Sequence, residues 1–76
     1  MTATELKNIR KQSIRVEIGE QLDLKPMERT FYNLRFVELM SVAEAARAMC
    51  RSYSTVAHLS MEVNNLLKDI KYPYAK

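Results

Sequence analysis

The stretch that most constrains this chain runs from Ser41 to Leu67, SVAEAARAMCRSYSTVAHLSMEVNNLL. It reads as a short helix, a three- or four-residue turn and a longer helix. Ser41 is a good N-cap, and Glu44 follows three residues later. The serine hydroxyl of such a pair accepts the glutamate N–H, and the carboxylate reaches back to the serine N–H, which is a capping box. Val42, Ala45, Ala46 and Met49 recur at helical spacing and share a face. The two alanines let another helix approach closely. Ser52 or Ser54 supplies the next N-cap. Beyond it, Val56, Leu59, Val63, Leu66 and Ile70 recur at steps of three, four, three and four, one apolar stripe on one helix. Two helices so joined have the outline of a helix-turn-helix.

The rest of the chain has few helix breakers: one Gly and two Pro in 76 residues, with many Ala, Leu, Glu, Lys and Arg. That composition favours an all-α fold. A three- to four-helix bundle is expected, with its longest helix at the C-terminal side. A chain this short buries a modest core, so a homodimer is expected. Residues 1–25 are expected to form a basic N-terminal arm or helix plus a connector. Thr4 is a candidate cap for a helix carrying Leu6 and Ile9. In Ser13–Gly19, Ile14, Val16 and Ile18 alternate with Arg15 and Glu17. This permits a strand, or a helix stopped by Gly19, and the helix is preferred. Residues 26–71 are the expected core. Pro26 suits the first position of a helix running to Met40. Met27, Phe31, Leu34 and Val37 lie on one face of it, widened by Tyr32, Phe36, Leu39 and Met40. The second helix of the pair is expected to run to about Lys71. Residues 72–76 are a tail that Pro73 keeps from being helical.

Charge and chemistry narrow the function. The net charge is +3 and the pI about 9.2, mildly basic, which fits a nucleic-acid partner without demanding one. Cys50 is the single cysteine and His58 the single histidine, so an intrachain disulfide and a Cys/His metal cluster are excluded. No cofactor or metal is expected. Ser52, Ser54, Thr55 and Ser60 have no acid at a readable spacing to orient His58 as a general base. One glycine rules out a phosphate-cradling loop. The chain therefore does not read as an enzyme. No signal-peptide pattern and no run of about 18 apolar residues is present, so a cytoplasmic protein without membrane contact is expected. Cys50 is expected to be a small buried residue, and Met40, Met49 and Met61 are expected to fill the core.

From Glu28 to Leu67 the chain resembles sigma-factor region 4 and its helix-turn-helix relatives. Glu28-Arg29, Leu34-Arg35-Phe36, Ser41, Glu44-Ala45-Ala46, Ser52 and Thr55-Val56 carry the resemblance, which covers about half the chain. Small phage-encoded transcription regulators of this type have a similar size. The resemblance implies sequence-specific binding to double-stranded DNA and transcription regulation, with Ser52 to about Leu66 as recognition helix. Tyr53, Ser54, Ala57, His58 and Met61 would face the bases. Ser52 and Thr55 would meet phosphate at the helix N-terminus. Arg47 and Arg51 would join them, with Lys7, Arg10, Lys11 and Arg15 from the N-terminal cluster.

Three departures stand out. Cys50 occupies the turn position where the family has Gly, and Arg51 follows where the family has an apolar residue. The recognition helix holds no Lys or Arg from Tyr53 to Leu67, and it carries Glu62. The last departure motivates an alternative: a protein-binding module that keeps the helix-turn-helix shape and docks on RNA polymerase, a sigma factor or a host enzyme.

Overall fold

The computed structural model describes residues 1–71. The regular structure among them is helical: α1 (Ala3–Lys7), α2 (Gln12–Gln21), α3 (Pro26–Tyr32), a π-helical segment (Asn33–Val37), α4 (Val42–Ala48) and α5 (Tyr53–Leu67). No helix among them is long and apolar enough to cross a membrane. The all-α expectation holds, with five α-helices in place of three or four, and α5 is the longest. The tail around Pro73 lies outside the described residues.

The N-terminal third is more finely divided than the sequence suggested. Thr2, not Thr4, caps α1: Glu5 N–H donates to Thr2 Oγ1 and Thr2 N–H to the Glu5 carboxylate. That one-turn helix places Leu6 in the core with no exposed surface. The Met1 ammonium donates to the carbonyls of Leu67 and Ile70, where a cation meets the negative end of α5. Ser13–Gly19 is helical, and Gly19 does not stop the helix, which continues to Gln21. Gly19 serves a packing purpose instead. A Cβ there would lie 2.4 Å from Tyr32 Cε1, so the glycine lets the tyrosine ring lie against the α2 backbone. The connector after α2 is part of the core, since Leu22 and Leu24 are both buried.

The helix expected over Pro26–Met40 changes character half-way. It is α-helical to Tyr32 and then widens, with Glu38 N–H donating to Asn33 O at 2.9 Å, five residues back. Leu39 then adopts φ 60°, and Met40 N–H closes on Leu34 O at 3.0 Å. The wide turn brings three rings together. Phe31 and Phe36 meet edge to face at 6.3 Å between centroids, and Tyr32 and Phe36 are tilted at 5.2 Å. All three are buried. Met27, expected on this face, is exposed, as is Leu39. Burial of the Tyr32 hydroxyl, which donates to Arg15 O, pushes its pKa above the ordinary phenol value.

Arg15 is the largest correction. It was expected at phosphates, yet it is only 5% exposed. Its Nε donates to Phe36 O at 2.7 Å and its Nη2 to Val37 O at 3.4 Å. Its Nη1 donates to Ile9 O and to Arg10 O, the latter at 3.1 Å. The carbonyls at the end of the π segment and just after α1 lack intrahelical partners, and one guanidinium satisfies them together.

Gly19→Ala tests the packing of Tyr32. Alanine is the better helix former by about 1 kcal/mol, but here its methyl must displace a buried ring. A net destabilisation of about 1–3 kcal/mol is expected in urea unfolding, as for overpacked cores. A stabilised variant would mean that the ring does not rest on α2.

Candidate nucleic-acid interface

The α4–α5 unit is built as its sequence suggests at both starts. Ser41 and Glu44 form the capping box, with Glu44 N–H to Ser41 Oγ at 3.1 Å and Ser41 N–H to Glu44 Oε1 at 3.0 Å. These bonds, foremost the Ser41 N–H, hold the Glu44 carboxyl below its ordinary pKa. Ser52 caps α5, accepting the Thr55 N–H at 3.3 Å and bonding the Thr55 hydroxyl at 2.8 Å.

The turn between them has a defined hydrogen-bond pattern. Arg51 N–H donates to Ala46 O at 3.0 Å and Cys50 N–H to Arg47 O at 3.1 Å. These are the two bonds of a Schellman cap, which needs a left-handed residue at its penultimate position. Cys50 fills that position with φ 54°. It is exposed, contrary to the expectation of a buried residue.

The cap directs the two faces of α5. Val56, Leu59, Val63 and Leu67 are buried against the rest of the fold, with Ala45 and Ala46. Leu66 and Ile70, expected in the stripe, are half-buried, and Leu67 replaces them at the centre of the core. The helix ends at Leu67, short of Lys71. On the other side Tyr53 and Met61 are 59% and 64% exposed. Met61 therefore does not fill the core, whereas Met40 and Met49 are half-buried. Ser54 and His58 are exposed and Ala57 is half-buried.

Arg47 and Arg51 are exposed at the end of α4 and in the turn. Arg51 also borders a surface groove with Pro26, Met27, Thr30 and Met49. The turn thus brings Arg51, Ser52, Tyr53, Ser54 and Thr55 to one end of α5. The N-terminal cluster is arranged differently. Arg10 and Lys11 are exposed, Lys7 is half-buried, and Arg15 is withdrawn into the core. The chain start is tied to the opposite end of α5, about 20 Å along the helix from Tyr53 at 1.5 Å per residue.

A polar contact on α5 was not anticipated. His58 Nε2 lies 3.2 Å from Glu62 Oε1, one turn on. Glu62 in turn borders one surface groove with Glu28 of α3. Glu28 is 5% exposed and accepts the Lys25 N–H at 2.9 Å. The neighbouring Glu62 side chain and the Lys25 N–H outweigh burial and hold the Glu28 carboxyl below its usual pKa. The four-residue spacing of His58 and Glu62 signals their contact. Nothing local signals Glu28, which tertiary packing delivers. No group of three or more His, Cys, Asp or Glu among the described residues is arranged to hold a metal.

Comparison of the chain with family models, curated proteins and solved structures finds no match.

Relief of backbone strain in the turn is measurable. A non-glycine residue in the left-handed region costs on the order of 1 kcal/mol. Cys50→Gly is expected to raise stability by about that amount, read as a higher urea midpoint at unchanged slope. A lower midpoint would contradict the assignment of the turn.

Proposed function

We propose that the chain is a sequence-specific, double-stranded-DNA-binding transcription regulator in which α4 and α5 act as a helix-turn-helix. The observation that carries this reading is the two-sidedness of α5. Its apolar stripe is buried to the last turn, while Tyr53, Ser54 and His58 are exposed, as are Arg47 and Arg51. In this reading α5 enters the major groove with its N-terminal half. Tyr53, Ser54, His58 and Met61 meet base edges, with Ala57 allowing close approach. Arg47 and Arg51 meet phosphates, aided by Ser52, Thr55 and the positive end of the helix. Arg10, Lys11 and Lys7 are further phosphate contacts, and Arg15 is not one of them. A homodimer would present two such helices to a two-fold-related site.

A second reading rests on a specific observation. Tyr53 and Met61 are the most exposed large apolar residues among those described, and α5 carries Glu62 but no Lys or Arg. Such a surface suits a protein partner, such as RNA polymerase or a sigma factor.

Duplex binding separates the two. With about five phosphate contacts per chain, affinity for a mixed-sequence duplex is expected to fall roughly five-hundredfold between about 50 and about 200 mM salt. Arg51→Ala is expected to weaken binding to all duplexes alike and to lower the salt slope by about one, whereas Ser54→Ala changes preference among sequences. No duplex binding at low salt would overturn the DNA reading and leave the protein-binding one.

A further inference from the structure

His58 is the only side chain on α5 able to become cationic, since the helix has neither Lys nor Arg. Its side chain is 71% exposed, so it can be reached by a ligand, yet it is not free to wander. Glu62 meets it at Nε2. Glu28, bonded by the Lys25 N–H, is fixed in the fold. The charged groups around this contact are Glu62 on α5, Glu28 on α3, and Asp23 and Lys25 in the segment before α3. Of these, Asp23, Lys25, Glu28 and Glu62 border one surface groove.

The contact decides what the imidazole offers a partner. An oxygen acceptor at Nε2 places the ring N–H there and leaves Nδ1 for the ligand. In the neutral ring Nδ1 accepts a hydrogen bond, and in the imidazolium it donates one. The two charge states of an imidazole interchange in the range between pH 5 and pH 8.

We propose that His58, positioned by Glu62, is a specificity-determining residue whose base preference switches with its protonation. The inference rests on the DNA-binding reading. The protonated ring donates from Nδ1 to N7 or O6 of guanine. The neutral ring accepts from the exocyclic amine of cytosine or adenine. These are the edges that the major groove displays. His58 touches the base, whereas Glu62 acts through it by setting which nitrogen is presented.

The test is selection of duplexes from a random library by the full chain, at a pH near 6 and a pH near 8. One position of the enriched site is expected to change from guanine at the lower pH to cytosine or adenine at the higher, with preference shifting roughly tenfold. His58→Gln, whose amide does not titrate, is expected to enrich one site at both pH values. Glu62→Ala is expected to lose preference at that position only. His58 is exposed, so neither pH nor His58→Gln is expected to disturb the helical circular dichroism. The same base enriched by the wild type at both pH values overturns the proposal, as does an unchanged switch in His58→Gln. Failure to enrich any duplex at either pH instead overturns the DNA-binding reading, and this inference with it.

Discussion

One buried guanidinium determines how the first half of this chain meets the second. Arg15 joins the carbonyls that follow α1, at Ile9 and Arg10, to those that end the π segment, at Phe36 and Val37. A buried charge is costly unless it is fully hydrogen-bonded, and a buried carbonyl is costly unless it has a donor. Here each problem solves the other. No buried side-chain nitrogen or oxygen among the described residues lacks a partner. Arginine suits the task because its donors form a rigid planar fork that reaches several acceptors at once.

The surrounding core follows from that junction. The Arg15 backbone carbonyl accepts the Tyr32 hydroxyl, and the Tyr32 ring rests on Gly19, so α2 and α3 are drawn together on both sides of the same residue. The π turn lets Phe36 complete the cluster with Phe31 and Tyr32 while its carbonyl faces the guanidinium. α5 packs on α3 and α4 and so inherits its orientation from this arrangement. Its inward stripe leaves a fixed outward side, and the Schellman turn at Cys50 sets where that side begins.

The parts of this structure legible in the sequence are those determined within a few residues. The capping box at Ser41, the cap at Ser52 and the 3–4 stripe of α5 depend on local spacing, and each is present. The all-helical fold follows from the scarcity of breakers. What was hidden depends on partners far along the chain. Arg15 lies in a basic run and reads as surface, because the carbonyls that accept it are 21 and 22 residues away. Gly19 reads as a helix stop until Tyr32 is seen against it. The break after α1 was hidden because its compensation, the same arginine, comes after it. The widening of the helix at Asn33 carries no local mark, and neither does its end before Leu39, which turns to φ 60° and is exposed.

The same division holds at the candidate interface. The residues around the turn were readable from spacing, and the exposed side of α5 contains Tyr53, Ser54, His58 and Met61. His58 meets Glu62 on that surface, and α5 packs on α3, which ties the function proposed for α5 to the junction at Arg15. The most direct measurement of that junction is the urea unfolding free energy of Arg15→Lys, which keeps the charge and removes the fork. Separation of the halves of the chain should cost about 2–4 kcal/mol, since several buried carbonyls lose their donors at once. A change within about 0.5 kcal/mol of the wild type, the usual size of a surface substitution, would contradict the account.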